Sequence, residues 1–98
     1  MGKYLLLWEI VGERVPVDAK ELGAGWSALM EMVKQDMKAG LTKDWGAFVG
    51  EINGYAVSEG TEVELGKALT KYSPYVRFKV HPVSSVSQVD EIIKSLTG

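Results

Sequence analysis

Phe48-Val49-Gly50-Glu51-Ile52-Asn53-Gly54-Tyr55-Ala56-Val57 is the stretch that decides the fold. Asn-Gly between two apolar, alternating segments is the strongest short hairpin signal, because both residues tolerate the positive φ of a tight turn. A two-residue turn at Asn53-Gly54 sets Ile52 opposite Tyr55, Gly50 opposite Val57 and Phe48 opposite Glu59, with strands over 41–51 and 52–60. The other face of the hairpin then carries Trp45, Ala47, Val49 and Glu51 with Ala56 and Ser58.

Helical patterns flank this hairpin on both sides. Upstream, Asp18 is an N-cap candidate, and Leu22, Trp26, Leu29, Met30, Val33 and Met37 recur on one helical stripe that ends at Gly40. Downstream, Thr61 with Glu64 forms a capping box, Leu65, Ala68, Leu69 and Tyr72 follow at helical spacing, and Pro74 blocks continuation. Beyond these helices lie two more strands. Lys3–Val11 is apolar in both parities, as in a central strand covered on both sides, with a loop over 12–16 after it. Tyr75–Val83 alternates strictly: Val76, Phe78 and Val80 on one face, Tyr75, Arg77, Lys79 and His81 on the other. A last helix begins near Ser87, with Asp90 completing a second cap and Val89, Ile92, Ile93 and Leu96 on one stripe.

The order β-α-β-β-α-β-α predicts an α+β fold, a ferredoxin-like split βαβ sandwich with a four-stranded antiparallel sheet. Right-handed crossovers place both main helices on one sheet face. With 98 residues, the chain reads as a single domain over 1–98. Tyr4, Leu6, Trp8, Val76, Phe78, Val80, Phe48, Ile52, Tyr55 and Val57 are expected in the helix-covered core. The open face is expected to collect Leu5, Leu7, Glu9, Trp45, Ala47, Val49, Ala56, Ser58, Arg77, Lys79 and His81. Leu5, Leu7, Trp45 and Val49 would form a patch that soluble monomers rarely leave bare, so a homodimer through that face is expected.

Composition removes several classes. With no cysteine there is no disulfide, thiolate nucleophile or Cys-bound zinc, and a single histidine excludes a multi-histidine metal site within the chain. A net charge of −2 with scattered basic residues argues against nucleic acid. The central strands, moreover, offer Leu5, Leu7, Ala56 and Ser58 to the open face rather than the aromatics an RNA-binding sheet uses. No apolar run is long enough for a membrane span or shaped as a signal peptide, so the cytoplasm is the expected compartment.

The strand Tyr4-Leu5-Leu6-Leu7-Trp8-Glu9, the hairpin Val49-Gly50-Glu51-Ile52-Asn53-Gly54-Tyr55 and the ending Pro74-Tyr75-Val76-Arg77-Phe78-Lys79-Val80-His81-Pro82-Val83 resemble the dimeric α+β-barrel superfamily. The likeness is nearest to muconolactone isomerase-like and related small barrel proteins. It implies a ligand cavity, either between helices and barrel or inside the barrel near the dimer seam. It also implies one of three activities: isomerisation, cofactor-independent or haem-degrading monooxygenation, or ligand sensing. Haem-degrading relatives need an axial histidine on a helix; His81 falls on a strand, and no cofactor is implied.

Two functional readings follow: a barrel protein that binds a small apolar or aromatic acid, or a cofactor-independent isomerase or monooxygenase. The candidate ligand residues are Glu9, Trp45, Ser58, Arg77, Lys79 and His81. For catalysis the candidates are Glu9, as a general base or else an ion-pair partner of Arg77 or Lys79, and His81, as a proton shuttle or else a structural strand end. Arg77 and Lys79 suit an anionic ligand, or guard an edge strand. Trp45 is either cavity wall or dimer anchor.

Overall fold

Hydrophobic alternation, two capping boxes and glycine-marked turns divide the chain into seven elements. These are β1 (Gly2–Ile10), α1 (Ala19–Lys38), β2 (Thr42–Ala47), β3 (Asn53–Gly60), α2 (Glu62–Thr70), β4 (Val76–Val83) and α3 (Val86–Thr97). This is a computed structural model, and it describes residues 2–12 and 18–98. Past Gly12, the loop expected over 12–16 lies outside the described residues. The sheet order is β2-β3-β1-β4 with every neighbouring pair antiparallel, the ferredoxin-like arrangement expected.

Local signals explain most of the boundaries. The Asp18 side chain accepts from the Lys20 backbone N–H and opens α1. Thr61 and Glu64 form the reciprocal capping box of α2. At α3 the box is built by Ser85 and Gln88 rather than by Ser87 and Asp90, so the helix begins one turn-fraction earlier than expected. The reason is geometric: an N-cap bonds the residue three positions on, and Gln88 supplies both the backbone donor and the returning side chain.

The hairpin is where expectation and structure part. Asn53 and Gly54 belong to β3, and Ala47 pairs with Gly54 and Gly46 with Tyr55. The reversal occupies residues 48–52: the Glu51 N–H donates to the Phe48 carbonyl at 3.1 Å, and Gly50 adopts φ 79°. Positive φ at that place is what a type II turn needs, and only glycine takes it without strain. Val49 is therefore a turn residue, fully exposed and off the sheet.

The faces of the hairpin are also reversed relative to expectation. β3 pairs with β1 so that Tyr4 meets Ser58, Leu6 meets Ala56 and Trp8 meets Gly54. Ala56 and Ser58, with Trp45 beside them on β2, thus lie under the helices, while Tyr55 and Val57 turn to the open face. Size explains the inversion. Trp8 stacks on Trp45 with ring centroids 5.2 Å apart and planes 7° apart, and meets Trp26 of α1 edge-on at 6.2 Å. That slab of indole leaves β3 room only for small side chains. A Cβ on Gly54 would lie 2.6 Å from Trp8 Cζ2 and would collide with the Gly46 carbonyl oxygen. Gly54→Ala is expected to lower the unfolding free energy by about 2 kcal/mol, read from the denaturant midpoint; an unchanged midpoint would contradict this packing.

The core gathers Leu6, Ala56 and Leu65, with Tyr4, Trp45, Leu69 and Phe78 packed around them. α1 rests mainly on β2 and α2 on β3. On β4 the helix-facing row is less covered: Val76 and Phe78 are half-buried and Val80 is exposed. α3 carries no buried residue. No helix among the described residues is long and apolar enough to cross a membrane.

Candidate functional site

A cavity of about 460 Å³ opens between α1 and the α2–β4 connection. Its wall on α1 is Leu22, Gly25, Trp26, Ala28, Leu29 and Met32; Ile10, Lys71, Tyr72, Tyr75 and Val76 complete it. Two small residues, Gly25 and Ala28, stand one turn apart on that wall, and a Cβ added at Gly25 would meet nothing within 4 Å. The space exists because the helix lacks side-chain volume there. Opposite, a tight turn fixes the aromatic side: the Tyr75 N–H donates to the Tyr72 carbonyl at 3.0 Å, and the Val11 N–H donates to the Tyr75 carbonyl at 2.9 Å.

One polar cluster sits at the edge of this cavity. Asp36 of α1 is buried, and both of its oxygens are engaged. Tyr72 donates its hydroxyl to Oδ2 at 2.7 Å, and Lys71 donates from Nζ to Oδ1 at 2.8 Å. The cluster ties the C-terminal half of α1 to the C-terminus of α2. Burial, and then the bond to Asp36, push the Tyr72 phenol well above its ordinary value. Tyr72 therefore keeps its proton at neutral pH and contributes a ring face rather than an acid or a nucleophile. The Lys71 ammonium has three N–H donors, of which Asp36 takes one, and its side chain is about half exposed. Aromatic walls with a single cation at the rim suit holding a flat apolar body by one anionic end.

A second concavity, of about 400 Å³, lies on the open side of the sheet. It brings together Glu9, Arg77 and Lys79 with Leu7, Phe48 and Asn53. Glu9 is paired in register with Arg77, and Leu7 with Lys79. Among the described residues the ion pairs are Lys34–Glu31, Lys43–Glu59 and Lys71–Asp36, so the adjacent Glu9 and Arg77 do not close into one. His81 pairs with Leu5 on the same face, outside either cavity lining.

Three of the six ligand residues expected from sequence thus meet at one place. Trp45 and Ser58 do not join them, because both face the helices in the core, where Ser58 is 2 % exposed. Of the four residues expected at a dimer face, Leu5 and Leu7 lie on the open face, Trp45 on the opposite one and Val49 at the turn. Sequence reasoning missed Asp36, Lys71 and Tyr75, and with them the larger cavity. One signal was available: Asp36 falls three residues after Val33, on the apolar stripe of α1, where an unpartnered charge would be costly.

No protein-family model matches this sequence, and no curated protein is detectably similar to it.

Proposed function

We propose that the chain binds a small apolar or aromatic acid in the cavity between α1 and the α2–β4 connection, working as a homodimer of the dimeric α+β-barrel type. The observation that carries this reading is the lining itself: Trp26, Tyr72 and Tyr75 around about 460 Å³, with Lys71 at the edge. That volume falls within the range of small-molecule sites, roughly 300–1,000 Å³. A proton-transfer role gains little support there, since burial, and then the bond to Asp36, hold Tyr72 in its neutral form. The dimer part of the reading draws on the open sheet face, where Leu5, Leu7, Tyr55 and Val57 are neighbours in register and Leu7 is 37 % exposed.

Naphthoate is a suitable probe. Titrated into the protein, it should quench tryptophan fluorescence saturably through Trp26, and the neutral naphthylmethanol should bind about tenfold more weakly for want of the Lys71 contact. Gly25→Leu fills the cavity while improving the helix, so it should abolish binding without loss of stability. Equal, unsaturable responses to both probes, or naphthoate binding that survives Gly25→Leu, would dispose of the site.

A further inference from the structure

We infer that α3 is an interface arm, its apolar stripe covered by the β4 edge of a second copy of this chain. The inference rests on the homodimer reading above and adds the element that makes the contact.

Surface area gives the first argument. A compact monomer of 10.7 kDa should expose about 5,500 Å², whereas this chain exposes 6996 Å². The excess, about 1,500 Å² per copy, would amount to about 3,000 Å² in a pair, the size of an obligate homodimer interface. Shape agrees: the radius of gyration is 16.3 Å with extents of 61 × 26 × 19 Å, against roughly 13 Å for a compact chain of this length.

The helix itself gives the second argument. Val89, Ile92, Ile93 and Leu96 are 42 %, 52 %, 49 % and 81 % exposed. A helix of 12 residues alone in water is marginal, and most helices this short are held by burying an apolar face. Its capping box is nonetheless fully formed, so its sequence specifies a helix rather than a tail.

Charge selects the second copy as the occupant. β4 is an edge strand that exposes Val80 on its helix-facing side and Val83, Arg77 and Lys79 on the open side, and among the described residues neither cation is in an ion pair. Next to the α3 stripe stand Asp90 and Glu91. An α3 laid along that edge buries apolar against apolar, sets acid against base, and covers unpaired strand backbone that would otherwise recruit other strands.

The absence of cysteine makes a direct test simple. Copies carrying only Ile93→Cys are mixed with copies carrying only Val80→Cys under mild oxidation, and light scattering is run on wild type, on Val89→Asp/Ile93→Asp and on Leu7→Asp. The expected results are a disulfide-linked mixed pair, a wild-type mass twice that of the chain, and a single-chain mass for the α3 variant. Because the substituted α3 residues are exposed, that variant should keep its naphthoate response. A wild-type dimer that survives the α3 substitutions but falls apart with Leu7→Asp would overturn the α3 assignment and leave the homodimer reading standing. A wild-type monomer, or a mixed pair that never forms, overturns the assignment outright.

Discussion

Trp8→Ala should cost about 4 kcal/mol of folding stability, most of what a domain of this size possesses. Trp8 is 3 % exposed, and its ring is the centre of the indole slab between Trp45 and Trp26. It also donates from Nε1 to the Tyr55 carbonyl at 3.2 Å. Truncation removes the buried area, the stacking and this bond, and leaves a hole that β3 cannot fill, because Gly54 and Ala56 have almost no side chain to move into it. Trp8→Phe keeps the aromatic surface and should cost about half as much. The two sites are coupled through shared space, so Gly54→Ala should be markedly less damaging in the Trp8→Phe background than in wild type. Denaturant unfolding of the four proteins gives the coupling directly, and strict additivity would show that Gly54 is not small on account of Trp8.

Asp36→Ala is the second large effect, expected at about 3 kcal/mol. The substitution leaves the Tyr72 hydroxyl without an acceptor and releases Lys71, and a buried donor stripped of its partner carries its full desolvation cost. Asp36→Asn retains one acceptor and should lose only about half of that. The same cluster sets a dependence on alkaline pH. Burial and then Asp36 raise the Tyr72 phenol in the folded protein, so the folded state holds this proton more tightly than the unfolded chain. The stabilisation is complete below the unfolded phenol's value of about 10 and is lost as pH climbs beyond it. Between about pH 10 and 11 the wild type should therefore lose stability faster than Tyr72→Phe does. Parallel slopes in the two proteins would mean that Tyr72 ionises as readily folded as unfolded.

The architecture was readable because its signals are local. Periodicity identified β1, β4 and the stripes of the helices, Thr61 and Glu64 announced α2, and a hairpin between two helical patterns dictated the topology. The orientation of β2 and β3 was not readable in the same way. Both faces of the hairpin carry apolar residues, and the larger set, Tyr55 and Val57 with Phe48 and Ile52, looked the better core. What overrides that preference is the bulk of Trp8 on a strand about fifty residues away in sequence. The cavity was hidden for a related reason. It is made by the small size of Gly25 and Ala28, of which a sequence shows the first only as weakened helix propensity and the second as an ordinary helix former. Arg77, Lys79 and Glu9 were legible as neighbours because their strands are adjacent by topology alone.

The sheet order bears on how this protein is born. Of the four strands of this sheet β1 is synthesised first, yet both of its neighbours come late: Leu6 pairs with Ala56 on one side and with Val80 on the other. At a translation rate of about 5–20 residues per second, the segment Tyr4–Ile10 remains without either partner for several seconds on the ribosome, and its second edge stays open until β4 has emerged. During that interval Leu5-Leu6-Leu7-Trp8 is an apolar strand free to pair with any other nascent chain. A segment that the finished sheet pairs along both edges is therefore the one most in need of protection while the chain is incomplete.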